Sequence, residues 1–172
     1  MKRWKEILKR IGKHAIGAEI GVWNGENAGQ LLDGNDTLWL ACIDQWKAND
    51  SEYIKSKDGK SKLSQKEFDK ARETAYHRLK EYKGRCWIIP LPSAEAIDLF
   101  EGKMFDFVFI DANHSYESVK QDIATWKPVI RQGGWIGGHD YQVYHGVKKA
   151  VDETFGKDVE LGEDFTWFAK IQ

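Results

Sequence analysis

Residues 18–25 read Ala-Glu-Ile-Gly-Val-Trp-Asn-Gly, and this stretch decides the fold. A short apolar run ends in Glu19-x-Gly21-x-x-x-Gly25 and leads into a predicted helix that reaches about Leu32. A glycine-spaced turn between a strand and a helix lets bare backbone approach a nucleoside cofactor at the carboxyl edge of a parallel sheet. Turns that bind a dinucleotide favour Gly-x-Gly-x-x-Gly, and that spacing is absent here. The turn therefore predicts a nucleoside-cofactor site and disfavours a nicotinamide cofactor.

Strands and helices alternate along the rest of the chain. Strand-like runs occur at 17–22, 37–44, 85–91, 105–111, 134–138 and 165–171. Helical periodicity fills most gaps, with predicted helices at 93–100, 115–130 and 145–155. This alternation predicts an α/β fold with a doubly wound, mostly parallel sheet. One helical stripe should face that sheet: Val119, Ile123, Trp126 and Ile130.

Size and composition predict one soluble domain that spans residues 1–172. The chain is long enough to bury a core, and its content of 41% hydrophobic and 13% aromatic residues excludes a disordered protein. No apolar stretch approaches the roughly 20 residues that span a bilayer. The charged N-terminus lacks the continuous apolar core of a secretory signal. With Cys42 and Cys86 forming neither a disulfide framework nor a metal cluster, we expect a cytoplasmic location.

The N-terminal residues 2–14 are predicted to form an amphipathic helix. A basic amphipathic helix can lie on a membrane surface, but covering the core of its own domain is the favoured interpretation. Its apolar face comprises Trp4, Ile7, Leu8 and Ile11.

Positive charge is concentrated in two segments, although the net charge is only -1. Residues 1–14 carry six Lys or Arg against one acidic residue, and residues 47–83 carry eleven against seven. Such segments can attract an anionic acceptor such as a polysaccharide, a nucleotide sugar or nucleic acid. A solvated surface explains the same composition, and it is the simpler interpretation.

The charged insertion at about 47–83 has two parts. Its first half is polar, and we predict a mobile loop that is either a substrate lid or a plain surface insertion. Ser64-Gln65-Lys66-Glu67 is a capping box and predicts a helix start. One side of that helix comprises Phe68, Ala71, Ala75 and Leu79.

The glycine turn is followed by the apolar run 37–43 and by Asp44. This arrangement resembles the start of a class I S-adenosylmethionine-dependent methyltransferase, although either motif alone also fits an ordinary α/β turn. The resemblance implies that Asp44 accepts hydrogen bonds from the ribose hydroxyls. It also implies a seven-stranded Rossmann-like sheet that ends in an antiparallel hairpin, with strands at 159–161 and 165–171.

The same resemblance implies further contacts with S-adenosylmethionine. They come from the first turn, from the end of the second strand and from the loop after the third, where adenine would lie. The implied residues are Glu19, Gly21, Trp23, Asn24, Gly25, Gln45, Ser93 and Ala94, with Trp46 as a second candidate beside the ring.

Two later strands also end in polar residues. Asp111 closes the run from Phe105, and His139 follows the run from Gly133. Carboxyl ends of neighbouring parallel strands meet at one edge, so their polar residues should converge. The predicted cluster comprises Asp111, Asn113, His114, Tyr116, His139, Asp140 and Tyr141.

The motifs Ile110-Asp-x-x-His-x-Tyr-Glu117 and Gly133-Gly-x-x-x-x-His-Asp-Tyr141 resemble those of the macrocin O-methyltransferase-like branch, which includes sugar O-methyltransferases. The resemblance implies that Asp111, His139 and Asp140 bind a divalent cation, Mg²⁺ or Mn²⁺. His139 stands where many members carry a carboxylate, and a nitrogen ligand suits Mn²⁺ better than Mg²⁺.

The implied chemistry needs a base, because a sugar hydroxyl is a poor nucleophile until its proton is removed. His114 is the implied base, since imidazole titrates near neutrality. Asp111 is also implied to contact the amino group of the cofactor. The plainer interpretation is that Asp111 and Ser115 cap the following helix and His114 bonds locally.

The motifs predict O-methylation of a sugar or another hydroxylated small acceptor. The basic segments favour an alternative, methylation of nucleic acid or of a nitrogen acceptor, whereas the absence of an Asn/Asp-Pro-Pro-Tyr-like motif argues against amino-group methylation of DNA or RNA. A non-catalytic module that keeps the cofactor pocket is a third possibility. The sequence does not identify the acceptor, since acceptor contacts come from loops.

Overall fold

A computed structural model describes residues 2–48 and 58–172, and a seven-stranded sheet forms its centre. The strands are β1 (Ile16–Ile20), β2 (Trp39–Ile43), β3 (Cys86–Ile89), β4 (Phe105–Ile110), β5 (Ile130–Gly138), β6 (Val159–Leu161) and β7 (Trp167–Lys170). Their order across the sheet is β3-β2-β1-β4-β5-β7-β6. Strands β1 to β5 pair in parallel, and β7 is antiparallel to β5 and β6. The predicted doubly wound sheet with an antiparallel C-terminal strand is confirmed.

Helices cover both faces of the sheet. They are α1 (Arg3–Leu8), α2 (Glu26–Gly34), α3 (Gln65–Leu79), α4 (Ser93–Ala96), α5 (Tyr116–Trp126) and α6 (His145–Phe155). Short 3₁₀ turns occupy Gly59–Lys62, Lys80–Tyr82, Ile97–Leu99, Lys127–Val129 and Gly156–Asp158. One apolar cluster joins a face of the sheet to α1, α2 and α3, and a second joins the other face to α5 and α6.

The predicted stripe on α5 faces the sheet. Val119, Ile123 and Trp126 are all at most 2% exposed. The helix ends at Trp126, earlier than the predicted 130, because Pro128 stands in the next turn and its ring restricts the residue before it. Ile130 is equally buried but opens β5.

The N-terminal helix is shorter than the predicted 2–14, since α1 ends at Leu8. Gly12 follows, and glycine costs about 1 kcal/mol in a helix interior relative to alanine. The apolar face packs as expected, with Ile7 buried and Trp4 and Leu8 against the same cluster. Gly34 makes this packing close, because a Cβ there would lie 2.4 Å from the Leu8 side chain.

The charged insertion forms a helix where the capping box predicts one. Helix α3 begins at Gln65, and the backbone N–H of Ser64 donates to the Glu67 carboxylate at 2.8 Å. The predicted apolar side is buried: Phe68, Ala71, Ala75 and Leu79. Before α3, the Asp58 carboxylate accepts from the backbone N–H of Lys60 at 2.8 Å and starts a 3₁₀ turn. Most of the predicted loop lies at 49–57, outside the described residues.

The C-terminal hairpin has the predicted strands, but β7 spans Trp167–Lys170 rather than 165–171. Asp164 and Phe165 both have φ 58°, in the left-handed region, and therefore belong to the turn. Within residues 2–48 and 58–172, no helix combines the length and apolarity needed to cross a bilayer.

Candidate active site

A cavity of about 260 Å³ lies at the carboxyl ends of β1, β2, β3 and β4. Seven of the residues predicted to bind the cofactor line it: Gly21, Trp23, Asp44, Gln45, Ser93, Ala94 and Asp111. The sequence predicts that residues at the ends of separate strands meet at one edge of the sheet, and these seven residues surround one cavity there. Of the other predicted contacts, Glu19, Asn24 and Gly25 do not line the cavity.

The two glycines of the first turn serve close packing. Gly21 has φ +90°, and a Cβ on it would lie 2.2 Å from the backbone oxygen of Asp111. Gly25 has φ +73° and faces α3, where a Cβ would lie 3.2 Å from the Ala75 Cα. Only glycine readily combines these angles with such short approaches. The turn therefore brings the end of β1 against the end of β4, and only Gly21 also borders the cavity.

Glu19 lies in the interior and is 2% exposed. The Asn27 amide donates to its Oε1 at 3.2 Å, and Oε2 has no hydrogen-bond partner among the described residues. Burial raises the pKa of Glu19 to about 8, although the charge of Arg3 opposes the shift. Glu19 does not border the cavity, so its carboxyl group is not placed to contact a cofactor directly.

Asp44 is held by two backbone donors. The N–H of Trp23 donates to Oδ2 and the N–H of Trp46 donates to Oδ1, both at 2.8 Å. Burial raises the pKa of Asp44, and these two hydrogen bonds oppose the shift. Each oxygen keeps a lone pair for a further donor. The carboxylate is therefore oriented in advance for a diol that enters the cavity.

Trp46 is a core residue. It is 1% exposed, and its indole N–H donates to the backbone oxygen of Trp23 at 2.7 Å. Gln45 lines the cavity instead and is exposed. Of the two candidates beside the adenine ring, only Gln45 is available.

A cluster of acids and histidines adjoins the cavity through Asp111. His114 Nε2 lies 3.0 Å from Asp140 Oδ2 and 3.7 Å from Asp111 Oδ1. His139 Nδ1 lies 3.1 Å and 3.9 Å from the same two oxygens. The two acids and two histidines of the predicted cluster therefore lie within 4 Å of one another in these pairs.

Asp58 is a member of this cluster that the sequence motifs did not indicate. Its Oδ2 lies 2.6 Å from His114 Nδ1, and the imidazole also stacks on Tyr144 with ring centroids 4.5 Å apart. A carboxylate on one ring nitrogen orients the other nitrogen. Asp58 thus directs His114 Nε2 toward Asp111 and Asp140.

The acids and histidines of this cluster shift one another's pKa values. Burial alone would lower the pKa of His114, but the nearby carboxylates of Asp111, Asp140 and Asp58 outweigh it and raise the pKa to about 11. Burial would raise the pKa of Asp140, but His114 and His139 lower it overall. Arg3 reaches over from α1 and forms an ion pair with Asp111 Oδ2. The carboxylates around His114 therefore favour its charged, imidazolium form.

Three residues offer the ligand set predicted for a metal. One potential ligand atom each from Asp111, His139 and Asp140 lies within 4.8 Å of the others. Among the residues described, His139 Nε2 is buried without a hydrogen-bond partner. Two carboxylates and an imidazole fit a divalent cation that tolerates nitrogen, such as Mn²⁺.

Other members of the predicted cluster have local roles. The hydroxyls of Tyr116 and Tyr141 donate to Glu153 and Asp152 on α6. Ser115 caps α5, as the plainer interpretation has it, by accepting from the N–H of Ser118. Asn113 lines the cavity while its Oδ1 accepts from the N–H of Ser115 at 2.8 Å.

The cavity has further lining residues that sequence reasoning missed. Lys60 Nζ lies 4.8 Å from the centre of the Trp23 ring, and Asp122 comes from α5. The only signal for Lys60 was the charge of the insertion. Asp122 is three residues after Val119 and four before Trp126, so periodicity places it on the face of the apolar stripe, but nothing in the sequence pattern linked it to the cavity.

The fold and site define a class of protein. A doubly wound sheet whose strand ends surround an acid-lined cavity is typical of proteins that bind a nucleoside cofactor at a topological switch point. A family model described as "Methyltransferase domain" matches residues 18–141. The chain therefore belongs to the methyltransferase-domain family, and it is an S-adenosylmethionine-dependent methyltransferase, as its motifs predicted. A search of curated proteins found no match.

Solved structures share the fold. The O-methyltransferase NovP superposes with a TM-score of 0.73 at 17% identity, covering 99% of this chain and 80% of NovP. A candidate caffeoyl-CoA O-methyltransferase from Staphylococcus aureus gives 0.66 at 16% identity, with 96% and 78% covered. A candidate rRNA methylase from Clostridium thermocellum gives 0.68 at 14% identity, with 99% and 94% covered.

Proposed function

We propose that this protein is an O-methyltransferase that methylates a hydroxyl group of a sugar or another small acceptor with the assistance of a divalent cation. One observation carries the proposal: Asp111 belongs both to the cofactor cavity and to the acid–histidine cluster. The Asp111 carboxylate would therefore lie between the methyl donor in the cavity and the acceptor hydroxyl at the cluster. NovP is named as an O-methyltransferase and the S. aureus protein as a candidate one, and both names agree with this assignment.

We infer a position for each part of S-adenosylmethionine from the residues that line the cavity. Asp44 would accept from the ribose hydroxyls, and Ser93, Ala94 and Gln45 would surround adenine. Gly21 and Trp23 would border the methionine portion beside Asp111. Glu19, Asn24 and Gly25 would act indirectly: Gly25 by packing the turn, and Asn24 by accepting from Glu26 N–H and Arg78 within it.

In methyl transfer, the cofactor supplies a methyl group whose carbon–sulfur bond breaks as the carbon–oxygen bond forms. Positioning can supply several kcal/mol of such a displacement, and the acceptor proton needs a base. His114 Nε2 would take that proton. Because the three carboxylates hold His114 in its charged form, it becomes a base only when Asp111 and Asp140 are engaged elsewhere.

Asp111, His139 and Asp140 would hold the divalent cation. When bound, such a cation lowers the pKa of a coordinated hydroxyl and orients it. Its binding would draw on the same carboxylate oxygens that now pair with His114, which favours the neutral imidazole. The charge of the cluster therefore links metal loading to the availability of the base.

Label transfer tests the proposal. Purified protein is incubated with S-adenosylmethionine labelled in its methyl group and a panel of free sugars, nucleotide sugars and phenols, with Mn²⁺ or with EDTA. We expect label in at least one hydroxylated small molecule, with at least tenfold more in Mn²⁺ than in EDTA. Label in none of them would contradict the proposal.

Replacing His114 tests the role of the base. His114→Ala should lower kcat by about 100-fold or more, since general bases contribute 10²–10⁴-fold. Its affinity for S-adenosylhomocysteine, measured by calorimetry, should stay within about twofold, because His114 does not line the cavity. The control is His77→Ala on the exposed side of α3, which should change neither value. Undiminished kcat in His114→Ala would exclude this residue as the base.

RNA is a second candidate acceptor. Lys60 reaches the cavity from the basic insertion, and one structural relative is named as a candidate rRNA methylase. Basic side chains near a site favour a polyanion. The same labelled cofactor offered with ribosomal RNA separates the two: label in RNA at a higher rate than in every small molecule would favour this candidate.

A further inference from the structure

The first residue of α1 places a positive charge at the acid–histidine cluster. The Arg3 guanidinium forms an ion pair with Asp111 Oδ2, 108 positions away in the chain. The two side chains are only 13% and 10% exposed, so salt screens the pair weakly. Since a guanidinium does not lose its proton in a protein, this charge is present at every pH at which the protein is folded.

The two carboxylate oxygens of Asp111 face different partners. Oδ2 accepts from Arg3, whereas Oδ1 lies 3.7 Å from His114 Nε2 and 3.9 Å from His139 Nδ1. Asp111 and His139 both belong to the ligand set for a divalent cation. The affinity of such a site depends on the number of charged ligands. Arg3 therefore neutralises part of the charge that Asp111 offers to a cation.

Contacts on both sides of Arg3 hold this end of α1 in place. The backbone N–H of Lys2 donates to Asp164 Oδ2 at 2.9 Å. Trp4 packs against the end of α2, where a Cβ on Gly34 would lie 3.2 Å from the indole ring. The position of the guanidinium therefore follows from the packing of α1, and the ion pair differs from a contact between two exposed side chains.

We propose that Arg3 competes with the divalent cation for Asp111 and thereby sets the metal affinity of the site. The inference rests on the proposed metal site of Asp111, His139 and Asp140. Without the cation, Arg3 pairs a nearly buried carboxylate whose charge would otherwise be costly. With the cation bound, two positive charges lie at Asp111 and repel each other. Cation binding and the contact of α1 with Asp111 therefore weaken each other by the same factor.

Titration with Mn²⁺ tests this role without a measurement of activity. The electron paramagnetic resonance signal of free aqueous Mn²⁺ gives the bound fraction in the absence of cofactor and acceptor. Arg3→Gln should bind Mn²⁺ at least about tenfold more tightly than the wild type, because the competing charge is removed. Arg3→Lys keeps the charge and should stay within about threefold of the wild type. Arg3→Met keeps the apolar stem and provides the same test if Arg3→Gln does not fold.

Lys5→Gln is the matched control, because it removes the same charge from an exposed position of α1, where the ammonium lies over the Trp4 ring. Its affinity for Mn²⁺ should stay within about twofold of the wild type. Unchanged or weaker binding without the Arg3 charge would overturn the inference, and so would equal tightening in Lys5→Gln or Arg3→Lys. In each of these cases, Mn²⁺ binding by the wild type leaves the proposed function intact. Failure of the wild type and of every variant to bind Mn²⁺ would overturn both the inference and the proposed metal assistance.

Discussion

Glu19 shows how one buried residue makes the stability of the protein depend on pH. Its carboxyl group is buried at the end of β1, and its pKa is raised to about 8 from the ordinary 4.5. The folded state therefore holds a proton that the unfolded state has already released between these two pH values. Stability contributed by the protonated group is complete below pH 4.5 and is lost as the pH rises toward 8.

Glu19→Gln should remove this dependence on pH. The wild-type free energy of unfolding should fall relative to that of the variant by up to about 1.4 kcal/mol per pH unit across pH 4.5–8. Gln keeps the oxygen that accepts from Asn27. Urea denaturation of both proteins at several pH values measures the difference, in which contributions from other groups such as His114 cancel. Parallel stability curves would show that Glu19 is not protonated in the folded state.

At the residue scale, the sequence predicted the site residues that follow a strand directly and missed those that do not. Asp44 and Asp111 each close an apolar run, and such ends meet at one edge of a parallel sheet. Asp58 stands at the start of the 3₁₀ turn Gly59–Lys62, a position that no strand pattern indicates, and its carboxylate contacts His114. Asp122 required knowledge of how α5 sits against the loop after β3. Sequence patterns carry no information on such approaches.

At the scale of elements, the β1–α2 turn packs closely against the end of β4. Gly21 combines φ +90° with backbone atoms of Asp111 and Ala112 at less than 3 Å from an added Cβ. Asp111 belongs to the acid–histidine cluster. A change at Gly21 would therefore move the cluster as well as the turn.

Gly21→Ala should destabilise the protein by at least about 2 kcal/mol, from left-handed backbone strain and a clash with β4. Gly12→Ala is the control, because a Cβ at Gly12 would have no atom within 4 Å. It should change stability by less than about 1 kcal/mol. Urea midpoints measure both effects. Similar midpoints for the two variants would refute the close approach of β1 and β4.

Helix existence was predictable at this scale, but helix ends were less so. The capping box placed the start of α3 because Ser64 and Glu67 satisfy backbone donors locally. The end of α1 depends on Gly12 and on the path into β1, so periodicity extended that helix too far. Where a helix end has a capping residue, local hydrogen bonds set its position. The other helix ends depend on tertiary packing.

For the whole molecule, the two helical layers deliver different parts of one site. Helix α1 on one face places Arg3 on Asp111, and α5 on the other face places Asp122 in the cavity. The sheet edge between them holds Asp44 and Gly21. The alternation of strands and helices predicted this edge, whereas the contributions of α1 and α5 came from packing across the sheet.

A crystal structure with S-adenosylhomocysteine and Mn²⁺ tests the central claim, that one cavity carries the cofactor and joins the metal site at Asp111. We predict the ribose on Asp44, and an anomalous manganese peak bonded to Asp111, His139 and Asp140 at the ordinary oxygen and nitrogen distances of about 2.0–2.3 Å. A ligand bound away from Asp44, or manganese on other residues, would contradict it.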